Sequence, residues 1–137
     1  MKKDIEIPSV EGVSVAVVKE LNEEKTHEVY NVYILNLKEV ELTNVMVSSK
    51  GYGINSLTEE RINTSVLRHF LGTIGAKSVA KIEPIVEEVF GINNEYWVSF
   101  FEGDRMFDKK YIFLAETIIE SNMIAVPLMQ DVRGVVI

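Results

Sequence analysis

Cysteine is absent from this chain, and basic residues are outnumbered by acids. Without cysteine there can be no disulfide, no thiolate nucleophile and no cysteine-ligated zinc or iron–sulfur cluster. The chain has 14 lysines and arginines against 21 acids, which gives a formal net charge of −7. The averaged field of such a chain repels phosphate backbones and anionic lipids. We therefore expect neither nucleic acid nor a membrane as a partner.

Long apolar runs are also missing, because no segment approaches the roughly 18 apolar residues of a membrane-spanning helix. At the start of the chain, over Met1–Pro8, Asp4 and Glu6 occupy positions that a signal peptide needs to be apolar. These observations predict a cytoplasmic protein. A length of 137 residues suits one core, so we expect a single β-sandwich domain over 1–137.

The most informative segment that is present runs from Asn93 to Leu114. Two stretches rich in aromatic and β-branched residues flank a polar loop centred on Gly103-Asp104, which is typical of an antiparallel hairpin. Similar short apolar runs recur between turns of glycine, asparagine and acidic residues, and they predict about seven to nine strands. The sequence therefore predicts an all-β fold, an antiparallel β-sandwich that is immunoglobulin-like in outline.

The alternation of apolar residues places several strands. The alternating valines of 13–17 predict a half-buried strand, and the run 29–37, apolar on both faces toward its end, predicts a central strand. The run 42–48 follows a charged turn, which predicts that it pairs with 29–37 as a hairpin. Pro84 predicts that the strand over 78–86 lies at a sheet edge or ends there.

The segment 58–71 is compatible with either a helix or a strand. Gly51-Tyr52-Gly53 is expected to end the preceding strand. The apolar residues that follow have helical spacing and are closed by Gly72, whereas Asn63-Thr64-Ser65 favours an extended chain. One short helix near 58–71 therefore remains an alternative to a further strand.

Two sets of residues carry a resemblance to known families. The segment 70–78 resembles, in pattern, the mid-domain turn of bacterial immunoglobulin-like modules. The phrases at 67–69, 76–83 and 94–100, together with the opening Met1–Pro8, are similar to a family of short uncharacterised bacterial proteins, and this likeness spans nearly the whole chain. Some members of that family carry the label of a phenylalanyl-tRNA synthetase subunit.

The second resemblance implies a compact domain and transfers no catalytic residue. A class II synthetase core holds ATP and an aminoacyl-adenylate with arginines on a large antiparallel sheet, which needs far more chain than 137 residues. The arginines of this sequence stand in no motif that matches such a core. They are Arg61, Arg68, Arg105 and Arg133.

Candidate catalytic and metal-ligating residues are few. Neither His27 nor His69 stands at a motif spacing from a serine, an aspartate or the other histidine, so we expect both to be structural or exposed. A metal site that joins both to a distant carboxylate stays open. Acids form two clusters, Glu83 with Glu87 and Glu88, and Glu102 with Asp104 and Asp108. The segment 102–108 lacks the density of a calcium loop, so these acids predict surface turns, with a weak cation site as the alternative. The paired glycines do not continue into a phosphate-binding loop. We predict no catalytic residue, no metal and no cofactor.

The hairpin supplies a candidate interaction patch. If it closes on a two-residue loop at Gly103-Asp104, Trp97 lies opposite Lys110 and Ser99 lies opposite Asp108. Because successive residues of a strand face opposite ways, these four side chains share one face. That face is either buried in a sandwich or a homodimer, or exposed as a contact surface of aromatic and charged residues.

These observations favour a non-enzymatic protein-binding or assembly module, whose partner is another protein or a second copy of the chain. Two alternatives remain. A small enzyme, or an accessory subunit related to phenylalanyl-tRNA synthetase, would gather His69 or His27 with acids in a concave pocket. A small-ligand carrier would hold its ligand in a cavity between two sheets.

Overall fold

The computed structural model describes residues 9–137, and this range folds into β-strands arranged in two antiparallel sheets. The predicted all-β sandwich is confirmed. The helical structure of the range consists of two short 3₁₀ turns, Glu87–Val89 and Glu120–Asn122, neither of which could cross a bilayer. The expectations placed on Met1–Pro8 lie outside the described residues.

The strands are β1 (Val13–Leu21), β2 (Glu28–Asn36), β3 (Leu42–Ile54), β4 (Arg61–Asn63), β5 (Leu67–Ile74), β6 (Ser78–Ile85), β7 (Asn93–Glu102), β8 (Arg105–Phe113), β9 (Ile124–Ala125) and β10 (Arg133–Val136).

The strands divide into sheet I and sheet II. Sheet I has the order β6-β2-β1-β10-β9. In sheet II, β3 pairs with β7 on one side and with β4 and β5 on the other, and β7 pairs in turn with β8. The predicted central position of 29–37 is confirmed, because β2 lies between β1 and β6. The edge position predicted from Pro84 is also confirmed, because β6 ends the order of sheet I.

The core lies between the two sheets, because alternate residues of each strand turn their apolar side chains inward. Aliphatic residues dominate the contribution of sheet I, and aromatic residues of the hairpin dominate that of sheet II. The fully or nearly fully buried members include Val15, Val17, Val32, Ile34, Val45, Val47, Tyr96, Val98, Phe100, Tyr111 and Phe113.

The prediction of a half-buried first strand is wrong, because β1 is buried on both faces. Ala16 and Val18 point away from the main core, yet neither is accessible to solvent. They belong to a second apolar cluster with Leu35 and Val126. The segment after β9 therefore covers the outer face of sheet I, which local alternation within β1 could not reveal.

The predicted hairpin of 29–37 with 42–48 is also wrong, because β2 and β3 lie in different sheets. The chain between them crosses from one sheet to the other. Asn36, fully buried, holds this crossing by donating its side-chain amide to the carbonyl of Val40 at 2.8 Å and to that of Gly75 at 2.9 Å. The two apolar strands thus pack face to face across the core instead of side by side.

Gly51 and Gly53 do not end a strand, because β3 continues through both of them to Ile54. A Cβ atom at Gly51 would come within 2.9 Å of the Ile92 side chain, and one at Gly53 within 2.8 Å. Close packing of Ile92 against the backbone, and not a turn, explains these glycines.

The helical alternative for 58–71 is wrong, because this part of the chain contains β4 and the start of β5. Its apolar residues do not belong to one element, because Ile62 lies in β4 and Val66 between the strands, and those of β5 are shared between its two faces. Phe70 is 66% exposed on the outer face, whereas Leu71 packs against the core.

Candidate functional site

The hairpin of β7 and β8 has the predicted register, with Trp97 opposite Lys110 and Ser99 opposite Asp108. Gly103 has a φ of +61°, in the left-handed region that glycine tolerates best. Glycine at the first central position is typical of a tight two-residue hairpin loop. This turn therefore sets which residues of the two strands share a face.

Trp97 and its neighbours lie on the outer face of sheet II, turned away from the core. The register extends this face across four strands, because Met46 pairs with both Ser99 and Phe70. Ser48 pairs in the same way with both Trp97 and Arg68. We name this surface the Trp97 face and define it by Met46, Ser48, Arg68, Phe70, Trp97, Ser99, Met106, Asp108 and Lys110.

A shallow depression of about 230 Å³ lies in the middle of the Trp97 face. The small side chains of Ser48 and Ser99 lie between larger ones, which leaves room for a side chain from outside. Trp97 is 45% exposed, and Met46 and Met106 are about half exposed around the same depression. A concave spot lined by an aromatic ring and methionines is the kind of place where an apolar anchor residue of a partner binds.

The charged groups of the Trp97 face are mainly cationic. The Nζ atom of Lys110 lies 4.6 Å from the centre of the Trp97 ring, a cation–π contact that orients the indole. Arg68 and Asp108 lie beside the depression. Within the defined set Arg68 and Lys110 therefore outnumber the acid Asp108, although the whole chain carries a charge of −7.

A second cluster of polar residues lies on the inner side, where the edge strands β5 and β6 approach each other. The carboxylate of Glu83 accepts a hydrogen bond from Ser49 Oγ at 2.7 Å and another from His69 Nε2 at 2.7 Å, both at Oε1. Its Oε2 accepts a third from the hydroxyl of Tyr96 at 3.1 Å. We name these four residues the Glu83 cluster. They join strands of both sheets through one carboxylate.

Burial raises the pKa of the Tyr96 hydroxyl well above its usual range, and the neighbouring Glu83 carboxylate raises it further. Tyr96 therefore stays protonated and serves as a hydrogen-bond donor. Glu83, whose side chain is 13% exposed, is not part of a surface turn. That prediction is wrong for Glu83, because its strand points it between the sheets opposite the buried Val32.

The Glu83 cluster borders a cleft of about 290 Å³. Glu83, Ser49 and Tyr96 supply polar groups to its wall. The rest of the wall combines the polar residues Lys50, Thr64, Ser65 and Asn94 with an apolar side, which comes from the start of β5 and from the end of β6 and the 3₁₀ turn behind it. Its apolar members are Leu67, Pro84, Ile85, Val86 and Val89.

The two histidines have separate roles. His27 lies in the turn between β1 and β2, where its Nδ1 is 3.0 Å from the hydroxyl of Thr26. His69 instead contacts Glu83, an interaction that sequence reasoning missed because their spacing fits no catalytic motif. Among residues 9–137 no three side chains of histidine, aspartate or glutamate converge as they would around a metal ion.

Comparison of the chain with protein-family models, with curated proteins and with solved structures gives no match. The Trp97 face and the Glu83 cluster are therefore the features from which a function can be inferred.

Proposed function

We propose that this chain is a non-enzymatic protein-binding module whose Trp97 face holds an acidic segment of another protein. The observation that carries the proposal is the exposure of large apolar side chains around a central depression, on the outer side of a regular sheet. Tryptophan and methionine in such a position are enriched at interfaces, where truncation of one aromatic anchor removes much of the affinity.

The charge of the face specifies the kind of partner. Arg68 and Lys110 flank the apolar depression, so an acidic segment gains attraction from both while its apolar anchor fills the space above Ser48 and Ser99. A second copy of the chain has the same cations on its own Trp97 face. Two such faces brought together would therefore set like charges against each other, which favours a different protein as the partner.

The proposal also includes the cytoplasmic location and the immunoglobulin-like outline. The outline is supported by the distribution of consecutive strands, because β1, β2 and β6 lie in one sheet and β3, β7 and β8 in the other. Immunoglobulin domains distribute their strands A, B and E, and C, F and G, in a similar way. In that arrangement the Trp97 face is the outer surface of the C-F-G sheet.

The experiment begins with capture of partners from a cytoplasmic extract at low salt by the immobilised chain, with mass spectrometry of the retained proteins. Parallel columns carry Trp97→Ala, Arg68→Glu and the control Leu57→Ala. Leu57 is 93% exposed and lies outside the Trp97 face, so it controls for general loss of apolar surface. We expect one acidic protein to be retained by the wild type and by Leu57→Ala, and to be lost from the other two columns.

The purified partner is then titrated into the chain while tryptophan fluorescence is recorded. Trp97 is the single tryptophan, so its emission reports on this face alone. A saturable shift at one-to-one stoichiometry supports the proposal. Equal retention by wild type and Trp97→Ala would contradict it, as would sedimentation of the wild type as a dimer that Trp97→Ala converts to a monomer.

A further inference from the structure

We infer that the cleft beside Glu83 is a binding site for a small organic ammonium ion with a short apolar tail. This site is separate from the Trp97 face, because it lies on the inner side of sheet II, between the edge strands β5 and β6. Three features of the cleft support this ligand: a carboxylate with unused acceptor capacity, the lack of an ion pair between that carboxylate and any lysine or arginine of residues 9–137, and an apolar side of the wall.

The carboxylate of Glu83 has acceptor capacity left. A carboxylate offers about four positions to hydrogen-bond donors. Within the described part of the chain, Oε1 accepts from both Ser49 and His69, whereas Oε2 accepts from Tyr96 alone. One position on Oε2 is therefore open to a further donor, and Glu83 contributes directly to the wall of the cleft.

Among residues 9–137, Glu83 has no permanent counter-ion in the cleft. Lys50 also lines the cleft, but its Nζ atom lies 3.8 Å from Glu95, which the register places on the outer face of the sheet. His69 carries a positive charge only when it is protonated. Removing a carboxylate from water is costly unless a charge of opposite sign accompanies it. A ligand with an ammonium group would provide that charge together with the missing donor.

The surroundings of the cleft favour a cation. Glu87 and Glu88 follow Val86 on the rim and line a neighbouring groove together with Glu28. This arrangement gives the approach to the cleft a negative potential, which raises the local concentration of cations. The cleft and the Trp97 face thus have opposite electrostatic character.

The volume and the lining of the cleft limit the size and the polarity of the rest of the ligand. A space of about 290 Å³ corresponds to roughly ten water molecules at ~30 Å³ each. Apolar residues line the same space as the carboxylate, so a hydrocarbon tail of a few carbon atoms can displace water there. The ligand class is therefore a primary amine on a short aliphatic chain, for which n-butylammonium is a suitable probe.

The test is a titration of the isotope-labelled protein with n-butylammonium chloride, followed by NMR, with n-butanol as the neutral probe of the same tail. We expect saturable shifts of the signals of Ser49, His69 and Tyr96, and an affinity for butanol at least about tenfold lower. Glu83→Gln should lower the affinity for the ammonium ion by a similar factor. Glu88→Gln, which removes an exposed charge on the rim, should change it less than about twofold.

A further variant keeps the test valid if Glu83→Gln fails to fold. Val86 is 57% exposed on the cleft wall, so Val86→Arg adds a repelling cation without breaking a buried hydrogen bond, and it should abolish binding. The inference is overturned if the ammonium ion gives no saturable shift, if butanol binds equally well, or if Glu83→Gln binds as tightly as the wild type. None of these outcomes affects the fluorescence of Trp97, so the protein-binding proposal is tested independently.

Discussion

Tyr111 donates a hydrogen bond from its hydroxyl to the backbone carbonyl of Val13 at 2.7 Å, across the interior of the sandwich. The two residues are 98 positions apart and belong to different sheets. Both are almost fully buried. This bond therefore anchors the edge strand β8 of sheet II to the start of β1 in sheet I.

Replacement of Tyr111 by phenylalanine should lower the free energy of unfolding by about 1–3 kcal/mol, because the carbonyl of Val13 loses its donor while remaining buried. Equilibrium unfolding in urea, followed by circular dichroism, measures the loss. Tyr52→Phe is the matched control, because the Tyr52 hydroxyl makes only a long contact of 3.5 Å to Glu95. A Tyr111→Phe variant as stable as the control would contradict the role assigned to this bond.

Alkaline pH should destabilise the protein. Burial raises the pKa of Tyr111 to about 12, and it raises the pKa values of Tyr96 and Tyr33 as well. In the unfolded chain a tyrosine ionises near pH ~10, so above that pH only the unfolded state releases these protons. The stability is therefore fully present below pH ~10 and declines as the pH rises toward 12.

Urea midpoints at pH 8, 10 and 11.5 test this expectation. Ultraviolet titration of the phenol groups, carried out with and without urea, separates the tyrosines from other titrating groups. We expect late ionisation of the buried tyrosines only in the folded protein. A midpoint that does not change between pH 8 and 11.5 would show that they do not control alkaline stability.

Gly134→Ala should prevent β10 from docking, whereas Gly91→Ala should have little effect. A Cβ atom at Gly134 would overlap the backbone carbonyl of Val17 in the neighbouring strand, which has no room to move. A Cβ atom at Gly91 would meet no atom within 4 Å. Thermal unfolding of the two variants is the measurement, and equal melting temperatures would refute the assigned packing. We expect Gly134→Ala to be destabilised by more than about 3 kcal/mol.

Trp97→Ala should leave the fold intact. The indole is 45% exposed, and its clearest partner is the ammonium group of Lys110. An exposed cation–π contact contributes only about 0.5–1 kcal/mol, so the urea midpoint should move little. An unfolded or insoluble Trp97→Ala variant would place this residue in the structural core and remove the basis for a binding role.

Among residues 9–137 no strand pairs with the outer edge of β8, and Lys109 should keep that edge from pairing with a second copy. If the β8 strands of two copies paired antiparallel with Lys109 at the centre, Asp108 of each copy would lie opposite Lys110 of the other. Met106 would lie opposite Ile112 in the same way. These pairs are favourable, but the two Lys109 side chains would face each other. Lys109→Val should therefore produce a dimer in analytical ultracentrifugation, while the control Lys109→Arg, which keeps the charge, should sediment as the wild type does. A monomeric Lys109→Val variant would refute this explanation.

The hairpin could be predicted from the sequence because residues close together in the chain determine its structure. The glycine of the turn and the alternation of residues on either side determine the register within about twenty residues, and the structure confirms that Trp97 and Lys110 are opposite each other. The predicted pairing of β2 with β3 is wrong. No residue near the connection between them indicates that the chain crosses there from one sheet to the other. That crossing depends on the buried amide of Asn36 and on carbonyls far along the chain.

The Glu83 cluster could not be predicted for a similar reason. Ser49, His69 and Tyr96 are 34, 14 and 13 positions from Glu83, and no periodicity relates them. They come together only because β5 and β6, at the edges of the two sheets, pack next to each other. The residues two positions away on the strand are Lys81 and Ile85, one charged and one apolar, so local alternation does not show which way Glu83 points.

The pairing of β1 with both β2 and β10 has a consequence for biosynthesis. Ala16 pairs with Val136, which is synthesised 120 residues later. At about 5–20 residues per second the ribosome takes roughly 6–24 seconds to cover that distance. Throughout that interval β1 lacks its second neighbour and presents an open strand edge to chaperones and to other nascent chains. Sheet I can therefore be completed only after translation has passed residue 136.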